Sequence, residues 1–225
     1  IVGWDDSYSK DNFNTALEGA GAFICQNSWG DNFGENGFFY ISYYDTNIGT
    51  HNVVYTDIEN TDNYDHIYQS DLCGWVGQLG YNKYSIYGAN VFTAEGNETL
   101  KAASFYATGK DSQYELYVVR QFADESSLEK MIPVASGKLG NAGYYTVDFN
   151  QGIEVDAGER YAVVLHIITP GSVHPMAIEY AADEATENVD LDDGESYISV
   201  NGSKWVSVDT VEKSNLCIKA FSDNR

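Results

Sequence analysis

Cationic side chains are scarce in this sequence: 12 Lys and Arg stand against 34 Asp and Glu, a formal charge of −22 and a pI of about 4.2. The deficit is shared by residues 1–50 and 51–225, so it belongs to the whole chain. A surface without basic patches excludes polyanionic partners, nucleic acid and anionic membrane surfaces among them. Long apolar runs are also missing. No stretch approaches the about 20 residues of a transmembrane helix, which excludes insertion of that kind. Cysteine is scarce, three in 225 residues, which excludes a disulfide-dense small scaffold. An odd count leaves at least one thiol free. Cys73 and Cys217 lie near the two ends of the second half and can pair, but buried thiols are the preferred reading.

What is present is concentrated first in Gly21 to Asp45, GAFICQNSWGDNFGENGFFYISYYD. Gly21 to Gln26 is a short apolar run that reads as a buried strand, delivering Asn27, Ser28, Trp29 and Gly30 at its end. Gly34, Asn36 and Gly37 mark turns, and Phe38 to Tyr44 is a second, aromatic-rich strand. A carboxamide beside an indole at a strand end holds one polar group in a fixed direction while a ring keeps water off it. In a cysteine peptidase such a carbonyl accepts a hydrogen bond from the catalytic imidazole and sets its tautomer.

At these residues the chain resembles the papain-like cysteine peptidases. The motifs are Val2-Gly3-Trp4, then Asn27-Ser28-Trp29-Gly30, then Gly34-Glu35-Asn36-Gly37-Phe38, in the order and spacing of the end of that family's domain. The resemblance implies that Asn27 orients the catalytic histidine and that Trp29 shields the pair. The family's cysteine nucleophile and oxyanion-hole glutamine lie far upstream, and neither motif occurs here. The histidine would fall just before Ile1, so the sequence reads as the C-terminal part of a longer protein, inactive as a peptidase by itself. Cys25 is weighed as a substitute nucleophile, because it points to the same side of an extended strand as Asn27, and is set aside as a small apolar-like core residue. Cys73-Gly74-Trp75 echoes a nucleophile motif but follows Asn27, reversing the family's order, and is set aside too.

The intervening DDSYSKDNFNTALEGA has no sustained period and reads as a surface loop. Residues 51–73 read as a linker that packs onto its neighbours through Val53, Val54, Tyr55, Ile67 and Tyr68. From Gly74 the chain turns to short alternating runs. Tyr87 to Thr93, Leu100 to Ala107, Tyr114 to Phe122, Tyr144 to Phe149, Arg160 to Ile168, Met176 to Tyr180, Tyr197 to Val200, Trp205 to Val208 and Leu216 to Phe221 read as strands, with Asn201-Gly202 as a hairpin signal. Ser126 to Met131 alone hints at a helical turn. So many strands without helices between them predict an antiparallel β-sandwich of jelly-roll type over 74–225. The expected fold is thus mainly β: the last strands of a papain-like α+β domain over 1–50, then the sandwich.

That second half resembles the lectin-like domain that follows the papain-like domain in clostridial surface and secreted cysteine peptidases. The residues carrying the likeness are Tyr64-Asp65-His66-Ile67-Tyr68-Gln69, Gly88-Ala89-Asn90-Val91-Phe92, Ala103-Ser104-Phe105-Tyr106, Pro175-Met176-Ala177-Ile178-Glu179-Tyr180, and Ser196-Tyr197-Ile198-Ser199 with Asn201-Gly202 and Trp205.

No catalytic constellation is visible in this half. His166 sits mid-strand and reads as a satisfied sheet residue; His51, His66 and His174 share no metal-ligand spacing, so zinc is not expected. Asp183 to Glu195 carries seven acids and no base. It reads as a solvated loop, with calcium the alternative through Asp190, Asp192, Asp193 and Glu195, although the spacing is not that of an EF-hand and other residues would have to complete the shell. No cofactor is required. The function expected is the end of a bacterial cysteine endopeptidase with a lectin-like accessory module, acting on protein or peptide substrates outside the cell or at its surface. The alternatives are a glycan, cell-wall or surface-layer binding module carrying a peptidase remnant, and an inactive paralogue.

Overall fold

The computed structural model describes residues 1–50, 53–56 and 58–225. The chain divides into two compact units, Ile1–Thr56 and Asp57–Arg225.

In the first unit β1 (Gly3–Asp5), β2 (Ala22–Gln26) and β3 (Phe38–Ser42) form an antiparallel sheet in the order β1-β2-β3. The two strands read from the apolar runs are present. The third, β1, was not located from the sequence, since three residues are too few to show a period; it carries the Val2-Gly3-Trp4 motif into the sheet by pairing Trp4 with Phe23. The loop between β1 and β2 holds one 3-10 turn at Lys10–Asn12, where Ser9 Oγ accepts from the amide of Asp11. Tyr8 leaves that loop to stack on Tyr40 of β3, ring centroids 4.2 Å apart.

The second unit is built from β4 (His66–Tyr68), β5 (Gly77–Leu79), β6 (Ser85–Thr93), β7 (Glu98–Ala107), β8 (Ser112–Val119), β9 (Ile132–Leu139), β10 (Gly143–Val155), β11 (Arg160–Ile168), β12 (Met176–Glu179), β13 (Ser196–Ser199), β14 (Val206–Ser207), β15 (Asn215–Leu216) and β16 (Ile218–Asn224). A six-stranded sheet runs β14-β13-β6-β11-β8-β9, a four-stranded sheet β10-β7-β16-β4 and a small sheet β15-β12-β5. Every recorded strand pairing is antiparallel. The alternation along β11 explains why two layers form. Tyr161, Val163, Leu165 and Ile167 face inward and pack with Leu100, Phe105 and Ile218 of the other sheet in one core. Ala162 and Val164, on the opposite face, join a smaller cluster with Phe122 and Leu128. Burying each such aliphatic side chain contributes about 1.5–3 kcal/mol, so this two-sided strand is the centre of the sandwich.

Departures from the sequence reading have local causes. β9 was missed because Pro133 interrupts it; proline is tolerated there because β9 is the edge strand, and the register shifts beside it between Leu116 and Tyr117. Val208, expected to end a strand, instead begins the helical turn Val208–Val211. The helical turn expected near Ser126 is a 3-10 turn at Glu125–Glu129, with Asp124 Oδ1 accepting from the amide of Ser126 at 3.0 Å. At Asn201-Gly202 the chain does reverse between β13 and β14, with Gly202 at φ +76° and Tyr87 close against it.

The stretch read as a packed linker divides. Val53, Val54 and Tyr55 are exposed, contrary to that reading, because no strand forms around them among the described residues. Further on, β4 pairs with β16 and turns Tyr68 into the sandwich, where it packs on Phe92 and Tyr161. His51 lies outside the described residues.

Candidate functional site

The loop from β2 to β3 is shaped to fix one carboxamide. Asn27 follows the last residue of β2, and its main-chain amide donates to Gly37 O at 2.9 Å. Its side chain repeats that anchor, Nδ2 donating to the same carbonyl at 2.8 Å, while Oδ1 accepts from the amide of Trp29 at 2.5 Å. Nitrogen and oxygen are thereby told apart, and the carbonyl oxygen keeps a lone pair for a second donor. The glycines close the loop: Gly34 has φ +61°, and a Cβ there would sit 2.1 Å from Phe38 O, so no other residue fits without moving the strand.

Trp29 is 75% exposed, with the edge of its ring on Phe33 at 5.0 Å, and Phe33 in turn meets Phe39 of β3 at 5.6 Å. The sequence reading thus places Asn27 and Trp29 on one turn of chain, two residues apart. Cys25 is buried on β2 opposite Phe39, and its thiol is free, as the core reading required. Cys73 and Cys217 are free as well; Cys217 is buried, and burial next to Asp71 pushes its thiol far above the usual range. Cys73 is exposed, contrary to the buried-thiol reading, because it sits in the turn before β5 and in no strand.

In the second unit a different set of oxygens converges. Asn215 Nδ2 lies 2.8 Å from Ser70 O, 2.9 Å from Asp190 O, 3.1 Å from Glu179 Oε1 and 3.3 Å from Asp193 Oδ1. An amide nitrogen carries two hydrogens, so at most two of these four acceptors are satisfied by it. Glu179 is fully buried, and its other oxygen accepts from the amide of Cys73. Burial, and after it the neighbouring Asp190, push the Asp193 carboxyl above its ordinary value. A cavity of about 260 Å³ opens beside Ser70, Glu179, Asp190 and Asp193.

Of the four acids singled out in this loop, Asp193 brings its carboxylate to the cluster and Asp190 brings its carbonyl. The Asp190 carboxylate instead accepts from the amide of Asp192, itself exposed. Glu195 is removed from the set: its carboxylate is bound to Arg160 and accepts from Tyr197 OH. Ser70, Glu179 and Asn215 were not foreseen, because they come from three distant parts of the sequence and share no spacing. Among the described residues no three His, Cys, Asp or Glu side chains gather as a metal-binding group.

Comparison with known families decides the affiliation of the larger unit. The profile of the lectin like domain matches residues 67–222. The chain belongs to the lectin-like domain family. The profile of the papain family cysteine protease matches residues 1–58, the segment that holds Asn27. Two solved structures resemble the whole chain. One is the clostridial cysteine protease Cwp84 after propeptide cleavage, 27% identical with a TM-score of 0.75, covering 99% of this chain and 56% of that one. The other comprises the cysteine protease and lectin-like domains of Cwp84, described as a surface layer associated protein of Clostridium difficile, at 26% identity and a TM-score of 0.75, covering 99% of this chain and 50% of that one. The chain therefore spans about half the length of these relatives. No curated protein sequence matches it. The chain is a papain-family peptidase segment joined to a lectin-like domain.

Proposed function

We propose that this chain is the C-terminal part of a cysteine endopeptidase in which Asn27 orients the catalytic histidine and Trp29 screens the pair from water. The observation that supports this is the antiparallel register of the first unit. Gly3 stands opposite Ile24 and Trp4 opposite Phe23, so chain continuing backwards from Ile1 runs alongside the end of β2 where Asn27 sits. A histidine on that approach meets a carbonyl oxygen whose direction is already set. The thiolate that would attack the scissile carbonyl, and the imidazole that would move its proton, belong to the upstream part of such a domain. The substrate is protein or peptide. The protein acts outside the cell or at its surface, in keeping with an acidic chain, among whose described residues no helix is long and apolar enough to cross a membrane, and with a relative described as surface-layer associated. Glycan, cell wall or surface-layer protein is the partner class for the lectin-like unit.

The test is Asn27→Ala in a protein that carries the whole peptidase domain. Turnover of a peptide substrate falls by about 10-fold or more, while the melting temperature changes little, as for a base that loses its orienting partner. Unchanged turnover makes Asn27 a loop anchor and nothing else.

The oxygen cluster around Asn215 supports a second reading, a calcium ion held by the Glu179 and Asp193 carboxylates with the Ser70 and Asp190 carbonyls, which requires the Asn215 Nδ2 now between these oxygens to turn aside. Hard oxygen donors of this mixed kind suit calcium, at about 2.3–2.6 Å per ligand. Its role there is to tie the acidic loop to β12 and β15. Calcium added to chelator-treated protein is expected to raise the melting temperature by about 5 °C, and Glu179→Gln to remove most of that rise. A melting temperature indifferent to calcium rejects the site.

A further inference from the structure

The outer face of the six-stranded sheet carries a polar row that neither the peptidase segment nor the acidic loop uses. The register sets Tyr87 of β6 opposite His166 of β11, and His166 opposite Glu115 of β8. One rung further along lie Ser85, Ile168, Gln113 and Lys138 on β6, β11, β8 and β9. His166 bridges the two rungs: Nδ1 is 2.7 Å from Glu115 Oε2, and Nε2 is 2.9 Å from Ser85 Oγ. Its ring lies flat on Tyr87, with centroids 3.9 Å apart and planes at 2°, so it is held on one side by the aromatic face and at both nitrogens by hydrogen bonds.

The direction of those bonds follows from charge. The hydrogen bond with His166 is the chief cause holding the Glu115 carboxyl below its ordinary range, so it is ionised at neutral pH and can only accept. With the hydrogen on Nδ1, the tautomer in which the ring donates to Glu115, Nε2 is the acceptor and the Ser85 hydroxyl is the donor. A serine donating to a histidine whose far nitrogen is pinned to a carboxylate is the arrangement that activates a hydroxyl nucleophile. On the side of His166 away from Ser85 lies a cavity of about 260 Å³, lined among others by Gln113, Glu115, Lys138 and His166.

We propose that Ser85, His166 and Glu115 form a nucleophile, base and orienting relay that hydrolyses activated acyl esters. Ser85 Oγ forms a bond to the ester carbonyl carbon as its proton passes to His166 Nε2. The tetrahedral adduct collapses with cleavage of the carbon–alkoxide bond, and the alcohol leaves with the proton from Nε2. Water then adds to the acyl-serine, gives its proton to Nε2, and releases the acid as Ser85 Oγ takes that proton back. Ester and water become acid and alcohol with no redox partner. Cysteine plays no part, which separates this activity from that of a thiol peptidase.

The test uses the 225-residue chain with its thiols blocked by iodoacetamide, exposed to diisopropyl fluorophosphate and separately to p-nitrophenyl acetate. The expected result is a single phosphoryl adduct mapped to Ser85 by peptide mass, and ester turnover reduced about 100-fold in Ser85→Ala. Glu115→Gln keeps the shape of the row; it is expected to slow both reactions about 10-fold and to displace the pH profile of adduct formation, which a merely structural role would not do. Folded protein that gains no adduct at Ser85, or a Ser85→Ala variant that hydrolyses the ester at the wild-type rate, overturns the proposal and leaves the row a cross-strand polar ladder.

Discussion

In the first unit Ala22 and Cys25 are the buried apolar side chains among the described residues, while Trp4 (70% exposed), Trp29 and Phe33 stand on the surface. In the second unit β6, β7, β11 and β16 place Ile86, Leu100, Phe105, Leu165, Ile167 and Ile218 out of reach of solvent altogether. Both units are antiparallel sheets, and the first is the richer in aromatic residues, 12 of 56 against 20 of 169, so a shortage of strand formers does not explain its thinner core. What differs is whether a second layer closes the apolar face. Three short strands cannot cover themselves, and a sheet with one open face draws its stability from whatever packs against it. The sandwich supplies its own second layer. The functions proposed above follow the same division: on that reading the Asn27 loop works with a histidine from another part of the peptidase domain, whereas Ser85, His166 and Glu115 stand on one sheet.

The largest effect that would expose this difference is in hydrogen exchange of the 225-residue chain. Amides of β6, β7 and β11 are expected to exchange about a thousandfold or more slowly than those from Phe23 to Ser42, since core strands open only with global unfolding while thinly packed ones open locally. Equal protection along the chain breaks the comparison, and with it the idea that the peptidase segment is the dependent partner.

How much of each unit could be read in advance follows from where its determinants lie. β11 was legible to its first and last residue because Tyr161, Val163, Leu165 and Ile167 alternate with residues of the other face, and both faces are buried. β9 was not, since an edge strand tolerates the proline that argues against a central one. Asn27 was legible because its supports, Trp29, Gly34 and Gly37, lie within ten residues of it. The oxygens around Asn215 come from Ser70, Glu179 and the 190–193 loop, and Ser85, His166 and Glu115 from three separate strands. Such groups are assembled by register alone, which no local pattern announces. His166 read as a satisfied sheet residue, and it is one; that its two partners make a relay needed the pairing of β6, β11 and β8.

A core truncation gives the next effect in size. Leu165→Ala empties a site closed on both sides and is expected to cost about 2–5 kcal/mol, lowering the main melting transition by roughly 2–4 °C per kcal/mol. Phe23→Ala removes a half-buried ring that leans on Tyr43 at 4.8 Å, and is expected to leave that transition in place. If Phe23→Ala shifts the transition as far as Leu165→Ala does, the two units melt as one and the comparison has to be redrawn.

The smallest of these effects is a matter of pH, and it again separates the units. Glu98 opens β7 with a fully buried carboxylate that accepts from Tyr68 OH at 2.7 Å, Ser222 Oγ at 2.5 Å and the amide of Gly96 at 2.7 Å. Burial by itself disfavours the charge, but these donors outweigh it and hold the carboxyl below its ordinary value. A carboxyl depressed in the folded state contributes stability that is present above its unfolded value of about 4.3 and is lost as pH falls through the folded one. In the first unit Asp5 is also lowered, chiefly by the Ser7 hydroxyl, but on an open turn where solvent screens the gain. The acid limb of the melting curve therefore belongs to the sandwich. His66, raised above its ordinary value chiefly by Asn224, has the opposite sign: its contribution is complete below the unfolded histidine value and fades as pH rises, so it does not mask the carboxylate. Glu98→Gln keeps the shape, loses the charge and puts an NH2 where one of the two accepting oxygens was, so that either the Gly96 amide or the Ser222 hydroxyl loses its acceptor. It is expected to lower the melting temperature at neutral pH by about 4–8 °C, as for a loss of about 2 kcal/mol, and to flatten the fall below pH of about 4. A variant that melts like the wild type at both pH values would mean that Tyr68, Ser222 and Gly96 hold β7, β4 and β16 together without needing the charge they surround.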